Sequence, residues 1–172
     1  MIISVGLIVL PLWNYTRYYL AVANFDYTVT KVTLYAEPLY PPTSTIVKIN
    51  VTLTASNPTD YSGLQISSIG CVLGYYGDYG VEEQLVGTSG PPKMYPMRPN
   101  ANTTIMIETS FSGNSGTNAL DFINYLETLS TESGQTQIEW DIVCRLYLTS
   151  FQGTYEILKG FSPVTTWNSS TT

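Results

Sequence analysis

Residues 47–56 alternate without a break. Val47, Ile49, Val51, Leu53 and Ala55 are apolar, and Lys48, Asn50, Thr52, Thr54 and Ser56 between them are polar. Side chains of a β-strand point alternately to opposite faces, so this run has one buried face and one solvated face. A helix would scatter the same residues around its axis. The run stops at Asn57-Pro58-Thr59-Asp60, a turn signal. Leu64 and Ile66 begin a second strand. Its phase then slips, and Ile69, Cys71, Leu73 and Tyr75 carry it on, which predicts a bulge near Gly70. Gly77-Asp78-Tyr79-Gly80 reads as a hairpin into residues 81–86. After a loop from Pro91 to Pro99, Ile105, Ile107, Thr109 and Phe111 resume the alternation. Ile138, Trp140, Ile142, Cys144, Leu146 and Leu148 form the longest run, and Tyr155, Ile157 and Phe161 close the set.

One segment departs from this period. Between Gly116 and Ser130, Leu120, Ile123, Tyr125 and Leu126 fall at helical spacing, with Thr117 or Asn118 as N-cap and Asp121 in the first turn. The expectation is an all-β, two-sheet sandwich of about seven strands with one short helix. It occupies residues 26–163. The Ser/Thr-rich tail, residues 164–172, has the composition of a disordered end.

Composition narrows the functions available. The chain has 172 residues, 12% of them charged, with a net charge of −6 and no histidine. An acidic chain poor in lysine cannot neutralise a run of phosphates, so nucleic acid is excluded as a partner. Without histidine there is no Ser-His-Asp or Cys-His site and no imidazole ligand for a metal. Glu82 and Glu83 are neighbours in a strand and point apart. Glu139 and Asp141 share a face with Arg145, which reads as a solvated face with a local ion pair. Gly87-Thr88-Ser89-Gly90 has no following lysine or helix start and is no phosphate loop. No catalytic residue, metal or cofactor is expected.

Residues 1–25 pose a separate problem. Residues 1–13 carry no charge, and Ile2, Ile3, Val5, Leu7, Ile8, Val9, Leu10, Leu12 and Trp13 make them strongly apolar. As one helix, residues 1–25 would be about 37 Å long, enough to cross a bilayer. Asn14, Thr16 and Arg17 would then lie deep in lipid, where arginine costs at least ~2.5 kcal/mol. The segment also lacks the basic start and small-residue cleavage site of a secretory signal. Three holders remain open: lipid, a neighbouring subunit that receives it as a helix or a strand, and the chain's own core. Pro11 disfavours a regular central strand. Tyr75, Tyr76 and Tyr79 interleave with glycine and are candidates for a second contact surface at a hairpin tip, tyrosine being favoured at interfaces.

Cys71 and Cys144 both fall on core-facing positions, which fits a disulfide between the two sheets; two buried thiols are the alternative. Asn14, Asn50, Asn102 and Asn168 each open an N-glycosylation sequon, whereas Pro58 excludes Asn57. Asn50 lies on a polar strand face and Asn102 in the loop before Thr103. Cysteines, sequons and the apolar segment together point outside the cytoplasm.

The order of motifs carries a resemblance. NPTDYSGLQISSIGCVLGYYGD (residues 57–78), MRPNANTTIMIETSF (97–111), LDFINYLETL (120–129) and IEWDIVCRLYL (138–148) resemble the LEA14-like group, the water-stress and hypersensitive-response domain of late-embryogenesis-abundant proteins. The resemblance covers residues 27–163 and implies an immunoglobulin-like seven-stranded sandwich with one helix and no catalytic positions. The apolar start and the Ser/Thr-rich tail depart from that group and point to a surface-exposed relative. Two functions are expected from these readings. One is a structural subunit of a cell-surface assembly, docked through residues 1–25 to copies of itself, to other surface proteins or to lipid. The other is a membrane-anchored accessory or stress-protective domain.

Overall fold

The computed structural model describes residues 2–37, 41–76, 82–89, 94–133 and 136–167. Helix α1 (Ile2–Asn24) leads into β1 (Asp26–Glu37), and a short 3-10 turn precedes β2 (Ile46–Asn57). Then follow β3 (Gln65–Tyr76), β4 (Glu82–Ser89), β5 (Tyr95–Pro96), β6 (Ala101–Ser112) and helix α2 (Thr117–Ser133). Strands β7 (Thr136–Ser150), β8 (Gly153–Phe161) and β9 (Val164–Trp167) complete the chain. The strands form two antiparallel sheets, β1-β2-β6 and β4-β3-β7-β8, with β5 added to β3 and β9 to β7. The protein is an all-β two-sheet sandwich, as the alternation requires.

Every apolar residue of the 47–55 run is fully buried. Strand β2 is central, so its inner face meets Val32 of β1 and Ile105, Ile107 and Phe111 of β6 in register. The facing sheet contributes Ile66, Leu73, Trp140, Ile142, Leu146 and Leu148, all fully buried. Strand β3 keeps Ile66 and Ile69 both inside through a bulge at Ser67: the ladder passes from Ile66 opposite Leu148 to Ser68 opposite Tyr147. The bulge thus lies three residues before Gly70. The Ser67 hydroxyl meets the Tyr147 carbonyl at 3.2 Å and Thr149 Oγ1 at 2.8 Å.

The disulfide forms, with Cα atoms of Cys71 and Cys144 4.1 Å apart. The two residues face one another on neighbouring strands of the same sheet, so it links β3 to β7 and does not bridge the sheets. Both cysteines do point into the core, as their parity requires.

Helix α2 begins at Thr117, which places Gly116, with φ of 148°, at the cap position and Asp121 beyond the first turn. Its buried face is Ala119, Phe122, Ile123 and Leu126. Phe122 closes one end of the sandwich, with ring centroids 4.7 Å from Tyr75 and 5.7 Å from Trp140. Part of the expected tail is a strand. Ile142 pairs with Phe161 and Glu139 with Val164, so β8 and β9 keep one register along β7 across Ser162 and Pro163. Trp140 N–H donates to the Pro163 carbonyl at 3.0 Å, and Trp167 is buried at the far end.

Tyr27 ties the sheets together. It lies on β1, yet its hydroxyl donates to the Cys144 carbonyl on β7 at 2.6 Å. Burial pushes the phenol up to about 12, above its usual 10. The raised value means that the folded state holds this proton more tightly than the unfolded state does. The contribution is therefore complete below pH 10 and lost as pH rises from about 10 to about 12. Tyr27→Phe should cost about 1 kcal/mol at neutral pH. It should also flatten the fall of stability in that alkaline window, as read from denaturant unfolding at stepped pH.

Candidate functional site

The open question of residues 1–25 resolves into one helix with two halves. Helix α1 is about 34 Å long at 1.5 Å per residue, and Pro11 lies inside it. Its second half lies on the sandwich: Tyr18 and Ala21 are buried and Val22 is partly so, and Phe25, just past the helix end, is buried on the same side. These positions recur every three or four residues, the spacing of one helix face. Its first half is different. Leu10, Leu12 and Trp13 are 66%, 60% and 62% exposed, although successive helical positions turn through 100° and these three face different directions. Over residues 10–13 the helix is exposed all round and does not lie on the head. The side chains of Ile2, Ile3, Val5, Leu7, Ile8 and Val9 fall outside those described.

Polar contacts fix the junction. Arg17 Nη2 reaches Asp60 Oδ2 at 2.8 Å and the Asp60 carbonyl at 3.0 Å. Arg17, awkward in any lipid-spanning reading, thus has its partner on the head. The neighbouring Tyr18 ring lies 6.0 Å from Tyr61. Both Asp60 and Tyr61 sit in the Asn57-Pro58 turn, which is built around the buried Asn57 side chain. Asn57 Nδ2 donates to the Tyr61 carbonyl at 2.9 Å, while Oδ1 accepts from Thr59 Oγ1 at 2.8 Å and Thr59 N–H at 3.3 Å. Composition and spacing marked this stretch only as a turn. That it receives the helix was invisible, because its partner is 43 residues away in sequence.

The relative weights are testable. Asp60→Ala removes an exposed ion pair and should cost under about 1 kcal/mol. Asn57→Ala strands a buried carbonyl and a backbone N–H, and should cost about 2–3 kcal/mol. Amide exchange along α1 residues 15–24 should quicken more in Asn57→Ala than in Asp60→Ala.

The remaining expected sites are spread over the molecule. Tyr75 is 2% exposed and belongs to the core, packed on α2, so it is removed from the proposed contact surface. Its parity on β3 sends it inward with Cys71 and Leu73. Tyr76 is half-buried at the strand end, and Tyr79 lies outside the described residues. Arg145 pairs with Glu156 across β7 and β8 at 3.0 Å, not with Glu139 or Asp141. Asn14 is exposed on α1. Asn102 is exposed too, but as the second residue of β6 opposite Ser56 and not in a loop. Asn50 is half-buried in the central strand, and its Oδ1 is shielded with no hydrogen-bond partner. Asn168 lies outside the described residues. Among the described residues no three His, Cys, Asp or Glu side chains group as metal ligands, and no helix is long and apolar enough to cross a membrane.

Fold and junction together define a class: a two-sheet β-sandwich carrying a long helix docked by its second half. No protein-family model matches the chain, and no curated protein matches it. Among solved structures it is similar to AT1g01470 of Arabidopsis thaliana, at 12% identity and a TM-score of 0.50. That likeness covers 82% of this chain and 80% of the plant protein. It is also similar to a protein of Archaeoglobus fulgidus, at 8% identity and a TM-score of 0.46, over 83% of this chain and 98% of the other. At 12% identity the likeness to the plant protein is one of fold.

Proposed function

We propose that this chain is a non-catalytic structural subunit of a cell-surface assembly, in which the β-sandwich is the head and the stretch of α1 around the exposed Leu10, Leu12 and Trp13 docks into neighbouring subunits. The observation that carries the reading is the division of α1. Its second half is held by apolar packing and the Arg17–Asp60 pair, while Leu10, Leu12 and Trp13 stand in solvent on different faces. Large apolar groups exposed together favour a partner, since burying each contributes about 1.5–3 kcal/mol. A second copy of the chain supplies a matching helix without requiring another component. The core disulfide and the exposed sequon asparagines Asn14 and Asn102 support a site in an oxidising, extracytoplasmic compartment.

The head is read as LEA14-like on the motifs at residues 57–78, 97–111, 120–129 and 138–148, and the sandwich architecture supports that reading at the level of fold. Lipid is the competing occupant of the Leu10–Trp13 stretch. Negative-stain microscopy and sedimentation of the full chain without lipid test the two. Regular fibres or a defined oligomer support the subunit reading. A monodisperse monomer that floats with added vesicles overturns it in favour of a membrane-anchored accessory domain.

A further inference from the structure

A cleft of about 490 Å³ runs between the docked half of α1 and the β7–β8 hairpin. Tyr15, Tyr18, Tyr19 and Phe25 line one side, and Gln152 and Tyr155 the other. Its volume suits a small ligand or a few sugar units. Three of the rings are half in solvent: Tyr15, Tyr19 and Tyr155 are 48%, 57% and 52% exposed. The Tyr15 and Tyr19 centroids lie 5.0 Å apart with their planes tilted by 58°, so the two rings are adjacent aromatic walls of the cleft.

The polar group in the cleft is held in place. Gln152 Oε1 accepts from the Ser150 hydroxyl at 3.0 Å and from the Tyr61 hydroxyl. Ser150 Oγ in turn accepts the Gln152 backbone N–H at 3.0 Å. These bonds engage the amide oxygen, while its two Nε2 donors have no partner among the described residues. A donor fixed this way beside aromatic rings is pre-organised for an acceptor on a ligand.

Charge selects the ligand class. No described residue lining the cleft is ionised at neutral pH. An anion or a cation entering it would lose hydration without gaining a countercharge. A purely apolar chain would cover the Gln152 Nε2 donors and leave them unpaired. A ring with apolar C–H faces and neutral hydroxyls meets both demands. We propose that this cleft binds a neutral saccharide, with sugar rings against Tyr15, Tyr19 and Tyr155 and a hydroxyl accepting from Gln152 Nε2. The site uses only the head and the docked half of α1, so it stands apart from the assembly reading.

The test is saturation-transfer NMR and titration of the full chain with cellohexaose, maltohexaose, mannohexaose and chitohexaose, with an oligogalacturonate as the charged control. At least one neutral oligosaccharide should bind, and the charged one should bind more weakly. Tyr19→Ala and Tyr155→Ala should each weaken binding about tenfold, the effect of one good aromatic contact. Gln152→Glu keeps the acceptor for Tyr61 and Ser150 while removing the donor, and should weaken binding by a similar factor. Near-unchanged melting temperatures in the two tyrosine variants separate lost contacts from lost folding, because both rings are half-exposed. No transfer to any neutral oligosaccharide, equal binding of the charged control, or undiminished binding by both tyrosine variants overturns the proposal. Sedimentation of the same samples reports assembly independently, so failure of one reading is distinguishable from failure of the other.

Discussion

Removing residues 1–14 should abolish self-association and leave the head folded, with its melting temperature lowered by no more than about 4 °C. The cut falls between the two halves of α1. Tyr18, Ala21 and Phe25 keep their places on the sandwich, and Arg17 keeps Asp60. Ten helical residues would be marginal alone in water, but packing on the head holds them. The combined substitution Leu10→Ser, Leu12→Ser and Trp13→Ser is the subtler version. Three exposed apolar groups that become buried in an assembly contribute about 5 kcal/mol together, three to four orders of magnitude in an association constant. Sedimentation velocity reads the change in assembly, and circular dichroism reads the fold. Unfolding of the truncated head would place residues 1–14 in its own core and end the docking model. Continued assembly after truncation would move the interface elsewhere on the head.

Replacing both cysteines, as Cys71→Ala with Cys144→Ala, should cost about 3–4 kcal/mol and lower the melting temperature by roughly 10 °C. The bond closes a loop of 73 residues, which restricts the unfolded chain, and it sits where β3 and β7 are neighbours in the larger sheet. Cys71 and Cys144 are 2% and 0% exposed. A reductant therefore meets the bond only when the sheet opens, so reduction of the native protein should be slower than that of the denatured protein by the factor set by that opening. Thermal unfolding of the oxidised protein and the double variant supplies the difference. Two alkylatable thiols in the freshly denatured, unreduced protein would show that the bond is absent in solution.

The sandwich was legible because burial on one face leaves a period of two that few other structures produce. Val47 to Ala55 and Ile138 to Leu148 announce their inner faces residue by residue. Parity also placed Cys71 and Cys144 inside, yet it cannot say which sheet a strand joins, and so the bond was expected between sheets. The same limit explains the bulge. A phase slip shows that one residue is extra, and glycine is the plausible host, but Ser67 took the place because its hydroxyl has Tyr147 and Thr149 to bond. Tyr75 was set among exposed hairpin tyrosines by composition, although its own parity sent it inward against Phe122.

The chain's own pattern determined its class: two layers of alternating strands, one helix among them, no imidazole chemistry, and an uncharged apolar start. Those properties are read from composition or from neighbours within a few residues. Tertiary structure decided the rest. It divided α1 at the point where Arg17 meets Asp60 and drew the Asn57-Pro58 turn into that junction. It extended the sheet into the expected tail through Trp167, and it set Gln152 among the rings of α1 and β8. Each depends on partners tens of residues away, and long-range contacts leave no periodic trace in a single sequence.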